Sequence, residues 1–364
     1  MSNQLNNIIK SILQREHDLN PIQALYNTEL LMHIICQNGV DDSFVVTDYD
    51  NGTKQVTQAP LAKAVILTIA HCMGQIGKYY PACNFNPYLD VFIKNAGNGG
   101  LLETILCHEA LNNQYGSYNN DMDYRVFKAM ADSITAFINN TRLEMQSPSF
   151  RSIINNAQRV SKTNHDRLED YINSLFSVYA RLLVLRVDFG YHEDNATVTR
   201  QHVQLRYQEA KSDFRRFLDN RDSNNLFEHQ VGYAWKLEYG FDKSWHYHVL
   251  FFLDGSKVRE DINIAMLFGK YWEKITQGRG VYYNCNANKH QYTTLGIGMI
   301  NHYDANLRQG LSNAAAYLIK PDLAARMLVP DNGRTFGRGE MLKPKHDNQP
   351  GRPRSLSSGG LTII

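Results

Sequence analysis

The chain has 364 residues, 43% of them hydrophobic and 20% charged, which suits two folded domains and excludes a mostly disordered polymer. Its longest apolar runs, such as 182–184 and 249–253, fall far short of the roughly 20 residues a membrane-spanning helix needs, so no membrane partner is expected. The net charge of +2 hides an imbalance. Residues 1–170 hold 13 basic and 17 acidic side chains, leaving 25 and 19 of the chain's 38 and 36 for the rest, and a basic half suits a polyanionic partner.

In chain order, residues 1–170 read as a mostly helical domain. Asn20-Pro21 can open a helix, with proline at a tolerated first-turn position. The run 61–78 has helix length and apolar residues on more than one face, so it should be buried. Residues 124–145 repeat apolar positions at three- and four-residue steps. Between these, 44–57 suggests a hairpin turning at Asn51-Gly52. His71, His108 and the 119–123 stretch are read as core or solvated polar groups rather than ligands. Five cysteines, Cys36, Cys72, Cys83, Cys107 and Cys285, form no CxxC pair. That argues against a disulfide framework or a thiolate zinc site. With no apolar signal core after Met1, a cytoplasmic location is expected.

The pattern changes near residue 172. A helix at about 166–179 leads into a strand, 180–191, followed by a charged amphipathic helix at about 199–220. Strands 233–240 and 246–255, a helix at about 259–275, a strand at 295–304 and a helix at 312–320 complete the run. The stretch 281–290 reads as a polar loop. This β–α–β–β–α–β–α order is close to the split βαβ, ferredoxin-like plan: an antiparallel sheet with helices on one face. The fold class is α+β, divided into a helical domain (1–170), a sheet domain (171–330) and a basic flexible tail (331–364).

Two features carry chemistry. On a strand, His246 and His248 of WHYHV point the same way and can share one divalent ion. Glu238 on the preceding strand joins them for one parity of hairpin register, which the sequence leaves open. Asp188, on the first strand, is a weaker candidate. Tyr317 and Lys320, three apart on a helix, put a nucleophile and a cation on one face. Tyr282, Tyr283 and Tyr303 are the alternative nucleophiles. For phosphate contacts the chain offers Arg200, Arg206, Lys211, Arg215 and Arg216 on the charged helix, and Arg334 and Arg338 in the tail. Tyr207, Phe214, Trp235 and Trp245 suit either base stacking or the core.

Taken together, LRVDFGY (185–191), WKLEYG (235–240), WHYHVLFFLDG (245–255), LGIG (295–298), AAAYLIKPD (314–322) and RTFGRGE (334–340) resemble the HUH endonuclease superfamily. Within it, the likeness is to replication initiators of the inovirus (filamentous phage) gene-two type and to the prophage family with a YagK/YfjJ C-terminal domain. It covers about half the chain, from about 172 to 354; Tyr247 departs from the smaller hydrophobes more usual between the two histidines. The resemblance implies that His246 and His248, with Glu238, hold Mg²⁺ or Mn²⁺. It implies that Tyr317 attacks a DNA phosphate to form a 5′-phosphotyrosyl link, with Lys320 balancing charge. Rolling-circle initiation on single-stranded or origin DNA, with a host helicase and polymerase as further partners, would follow. A silent nucleic-acid-binding regulator on the same fold, or an HUH transposase or relaxase, are the competing readings. The oligomeric state is not legible.

Overall fold

The computed structural model describes residues 2–13, 21–37, 44–48, 54–79, 83–97, 100–103, 105, 121–192, 199–240, 243–319, 325–327 and 334–342. The chain divides into two compact units. One comprises Met1–Ala157, Val198–Arg200 and Asp322–Leu328; the other comprises Gln158–Thr197, Gln201–Pro321 and Val329–Ile364.

The first unit is mainly helical: α1 (Ser2–Leu13), α2 (Pro21–Gln37), α3 (Pro60–Tyr79), α4 (Pro87–Gly97), α5 (Asp121–Gln146) and the start of α6 (Pro148–Val178). Leu31, Ile35, Val65, Ile69, Phe92, Ile134 and Phe137 are buried at its centre. The expected hairpin is present, β1 (Phe44–Asp48) pairing antiparallel with β2 (Lys54–Gln58); the Asn51-Gly52 turn lies outside the described residues. A second small pair joins β3 (Cys83–Phe85) to β9 (Ala325–Met327), so residues assigned by sequence to the sheet domain belong to this unit. No helix among the described residues is long and apolar enough to cross a membrane.

The second unit is built on a six-stranded antiparallel sheet. Its strands are β4 (Arg181–Tyr191), β5 (Gln230–Gly240), β6 (Ser244–Asp254), β7 (Gly280–Asn284), β8 (Gly298–Asn301) and β10 (Phe336–Arg338). The spatial order is β10-β5-β6-β4-β7, and β8 also pairs with β4. The outer edge of β4 is thus shared, with β7 along 187–191 and β8 along 181–184. The gap is closed by the fully buried Asn286 side chain, which accepts from Arg186 N–H at 2.8 Å and donates to Val184 C=O at 3.0 Å. One amide here substitutes for missing strand partners, pairing the Val184 carbonyl and the Arg186 N–H that β7 and β8 leave open.

Helices cover both faces of this sheet, not one as expected. The reason is visible in β6, where nine consecutive residues, Trp245–Leu253, are buried. Alternate side chains of a strand point to opposite faces, so continuous burial requires a layer on each. On one face lie α7 (Arg200–Asp219) and α8 (Asp261–Ile275). Along α7 the buried Val203, Tyr207, Ala210, Phe214 and Phe217 recur at four- and three-residue steps. They meet an aromatic core in which Phe189 stacks on Trp272 at 4.9 Å and Phe214 on Tyr247 at 4.0 Å. Both indole N–H groups are satisfied, Trp272 Nε1 donating to Gly190 O and Trp245 Nε1 to Val203 O, both at 3.0 Å. Tyr207, Phe214 and Trp245 are therefore core residues, while Trp235 is half-buried.

The other face packs against the end of α6 and against α9 (Ala305–Ile319). Tyr171, Leu175 and Phe176 of α6 and Leu311, Ala315 and Leu318 of α9 close over Leu182, Val184, Leu250 and Phe252. Each buried Leu, Val or Phe among them contributes about 1.5–3 kcal/mol. The height of α9 is set by a backbone contact: a Cβ on Gly310 would lie 1.9 Å from Leu295 O, so no larger residue fits.

Two further expectations are corrected. Residues 280–284 form strand β7 rather than a loop; the asparagines that made the stretch look polar lie at its end and just after it. Phe336–Arg338, placed in a flexible tail, pairs with β5 as the edge strand β10. Its three residues are too few to carry a periodic signal.

Candidate active site

The register of the β5–β6 hairpin settles the parity that the sequence left open. Glu238 pairs with His246 and Lys236 with His248, while on the other side of β6 Asp188 pairs with His248. Directly paired residues in an antiparallel sheet share a face. Lys236, Glu238, His246, His248, Asp188 and Arg186 therefore project from the face that α9 covers. The two imidazole rings sit perpendicular with centroids 4.9 Å apart. Ligand atoms of Glu238, His246 and His248 all lie within 4.8 Å of one another.

Contacts around the rings fix what each nitrogen offers. His246 Nδ1 lies 3.0 Å from Ser244 O, so that nitrogen donates and Nε2 keeps a free lone pair, 3.8 Å from Glu238 Oε2. His248 is held from both sides, Nδ1 at 2.8 Å from Asp188 Oδ1 and Nε2 at 3.2 Å from Glu238 Oε2. The Asp188 contact is an ion pair rather than an aligned hydrogen bond. Asp188 Oδ1, His248 Nδ1 and the neighbouring Arg186 Nε are all buried without a hydrogen-bond partner. Arg186 Nε stands 3.5 Å from Asp188 Oδ1, and Lys236 Nζ is ion-paired with Glu238 Oε1.

Burial and charge act on these groups in opposite directions. Burial pulls His246 below its ordinary value, and the charge on His248 adds to that, so His246 is neutral near pH 7. Burial also disfavours charge on His248, but Asp188 and Glu238 outweigh it and push it up to about 9. For Glu238, burial opposes ionisation; the hydrogen bond from His248 and the charge on Lys236 prevail and hold it at about 2. Asp188 is likewise lowered, its burial overcome by His248 and Arg186.

Two imidazoles and a carboxylate, mostly buried and convergent, form a donor set that fits a divalent ion. Asp188 stands behind His248, 2.8 Å from its Nδ1, the place of an outer carboxylate that would orient the ring toward a bound ion.

Tyr317 reaches this centre from α9. Its ring centroid lies 5.9 Å from that of His248, and the guanidinium carbon of Arg186 sits 4.9 Å over the ring. Tyr317 is 48% exposed, so a substrate can reach it. The structure thus brings Glu238, His246, His248 and Tyr317 together. Lys320 lies outside the described residues. The other tyrosines part company. Tyr283 pairs with Asp188, on the site's face, and is 50% exposed. Tyr282 points to the other face, toward Gly269 of α8. Tyr303 follows β8, at the opposite end of β4 from Asp188.

Sequence reasoning missed Arg186 and Lys236. A charged pair two apart, Arg186 and Asp188, inside an otherwise apolar strand was the available signal, because both must share one face.

The residues proposed for phosphate contact do not form one set. Arg206 pairs with Glu209 at 2.8 Å and Arg216 with Asp213 at 2.7 Å. Arg200, Lys211, Arg215 and Arg334 are exposed. Arg338 lays its guanidinium 5.0 Å over the Tyr171 ring.

A family model described as the YagK/YfjJ C-terminal domain matches residues 145–339, a span that holds every described residue of the centre. Neither the curated proteins nor the solved structures give a match.

Proposed function

The chain belongs to the YagK/YfjJ C-terminal domain family, and from that premise and the geometry around Tyr317 we propose that it nicks and rejoins single-stranded DNA. The carrying observation is that Tyr317 and His248, 69 positions apart in sequence, place their rings 5.9 Å apart beside a divalent-metal donor set. The chain order β4–α7–β5–β6–α8–β7, with β4 lying between β6 and β7, supports an HUH-type split βαβ core.

In this reading Glu238, His246 and His248 hold Mg²⁺ or Mn²⁺, the two imidazoles favouring Mn²⁺. The bound ion supplies Lewis acidity toward the scissile phosphate and the departing 3′ oxygen. The Tyr317 hydroxyl attacks phosphorus in line, losing its proton to solvent as the new P–O bond forms. The bond from phosphorus to the 3′ oxygen breaks, and that oxygen leaves with the electron pair and takes up a proton. A 5′-phosphotyrosyl link and a free 3′-OH result, and reversal reseals the strand without ATP. Arg186, against the Tyr317 ring, orients the nucleophile and presents positive charge to the phosphate. Lys320 adds charge balance. The free 3′-OH primes a polymerase, which fits rolling-circle replication of a phage or prophage element, with a host helicase as partner.

One observation favours a silent nucleic-acid-binding protein instead. Lys236 on Glu238, and His248 between two carboxylates, neutralise the cluster without an ion. A covalent-adduct assay separates the two. Labelled circular single-stranded DNA and Mn²⁺ are mixed with wild type, Tyr317→Phe and His246→Ala/His248→Ala, then run on a denaturing gel. A protein–DNA band in wild type alone is expected. A band that persists in Tyr317→Phe moves the nucleophile to Tyr283, and no band with any DNA favours the silent reading.

A further inference from the structure

The face of the sheet turned away from the metal centre carries a groove of about 920 Å³ between α7 and the edge formed by β5 and β10. Lys211 and Arg215, one turn apart on α7, line one wall, and Arg334 stands across from them. All three are exposed, and among the described residues none of them joins an ion pair. Two other cations of α7 are neutralised, Arg206 by Glu209 and Arg216 by Asp213, while Arg200 at its start is exposed. Asp219 is the one carboxylate in the lining. Arg338 also borders the groove, but its guanidinium is turned to the other face over Tyr171, so it is not counted as a contact.

The floor is aromatic. Trp235 meets Phe214 edge-on at 5.5 Å and Tyr247 at 5.7 Å. Gly337 of β10 is paired directly with it, and a Cβ there would lie 2.6 Å from the indole ring. The missing side chain lets the ring lie across the edge strand, half-buried and bordering the groove. Lys211 lies 5.7 Å over the Tyr207 ring, which leaves its charge un-neutralised. A fixed π-surface thus stands beside exposed cations that no described carboxylate pairs with, the composition that holds a nucleic-acid strand with phosphates on the cations and a base on the ring.

We infer that this groove is a second strand-binding site, taking an unpaired segment of polynucleotide on the face opposite the metal centre. A duplex is disfavoured, because stacked and paired bases cannot present a face to Trp235. The inference rests on the nucleic-acid side of the proposed function and not on its chemistry. It adds that the chain grips the strand at a place other than the reacting phosphate.

The test uses the full chain in EDTA, so that metal-dependent cleavage is silent, with a fluorescein-labelled oligothymidylate read by anisotropy across a salt series. Lys211→Gln/Arg215→Gln should weaken binding and flatten the log–log salt slope by about 1.4, the value for two phosphate contacts on a single strand. Unlabelled oligonucleotide should quench the fluorescence of Trp235, whose companions Trp245 and Trp272 are buried, and Trp235→Phe should abolish that quenching. Trp235→Leu should cost roughly 5- to 150-fold in affinity, the range for one lost stacking platform. Unchanged affinity and slope in the double glutamine variant, or quenching that survives Trp235→Phe, overturns the inference. So does a duplex that binds as tightly and quenches as strongly. Adduct formation with Mn²⁺ is scored separately on wild type. Its absence removes the nicking reading and leaves the groove judged on anisotropy and quenching alone.

Discussion

Replacing Asp188 with Asn isolates one contribution to the metal centre. Asp188 is not among the three convergent ligands, but its Oδ1 lies 2.8 Å from His248 Nδ1. That contact turns the opposite ring nitrogen toward Glu238, 3.2 Å away. Asparagine keeps the size of the side chain and removes its charge, so the ring loses the partner that makes it electron-rich and fixes its orientation. Outer carboxylates of this kind are typically worth 10- to 100-fold in metal affinity, about 1.4–2.8 kcal/mol. Mn²⁺ titration followed by the loss of the free-ion paramagnetic resonance signal reads this directly. Circular dichroism of the metal-free variant should be that of wild type. Asp188→Asn should bind 10- to 100-fold more weakly, and His246→Ala more weakly still, since it removes a ligand. Asp188→Asn binding within twofold of wild type would refute the orienting role. Failure of wild type itself to bind Mn²⁺ or Mg²⁺ would refute the metal centre.

Arg186→Lys keeps a charge but loses the planar fork over Tyr317, so adduct formation should slow by about 10²-fold, measured in single turnover; an unchanged rate would leave Arg186 a structural ion-pair partner of Asp188. In an ordinary helix Gly→Ala stabilises by about 1 kcal/mol, yet Gly310→Ala should destabilise by about 1–3 kcal/mol, because its Cβ would meet Leu295 O at 1.9 Å. The urea midpoint gives the sign, and adduct yield should fall with it as α9 shifts Tyr317. Burial pushes Cys72 up to about 12, and burial together with the charge on Asp188 pushes Cys285 up to about 11. At pH 8 both stay protonated in the folded chain, so alkylation mapped by mass spectrometry should be slow at these two sites and fast in denaturant. Equal rates in the two states would contradict their burial.

The sheet domain was legible because its elements follow simple periods. Strands β4, β5 and β6 showed their apolar content, and α7 its three- and four-residue repeat. What was hidden depended on long-range pairing. Glu238 faces the histidines only because Gly240 pairs with Ser244, and no local rule sets that register. β7 was hidden because its strand of five residues runs into Asn284, Asn286 and Asn288. Those polar side chains do the work of backbone: Asn286 bridges β4, and Asn284 donates to Ile262 O. A reading that treats asparagine as a mark of loops takes the opposite meaning from them. β10 is three residues long and is fixed by Gly337 fitting against Trp235, which only the folded pair reveals.

The two faces of the sheet make unequal demands on stability, and the difference bears on function. The α7–α8 face is filled mainly with stacked aromatics, and the indole N–H groups of Trp245 and Trp272 there donate to backbone carbonyls. On the other face, beyond the apolar contact with α6 and α9, the chain buries two imidazoles and a lysine and half-buries two carboxylates and an arginine. Desolvating such groups costs several kcal/mol per ion, and a well-packed apolar set in their place is often neutral or more stable. Asp188, His248 and Arg186 moreover leave buried atoms without hydrogen-bond partners, which adds to that cost. Stability alone gives no reason to gather so many charged groups on one face of the sheet. The incompleteness falls beside Tyr317, whose ring lies 5.9 Å from that of His248 and under the Arg186 guanidinium, so the incompletely paired part of the cluster is also the part beside the exposed tyrosine.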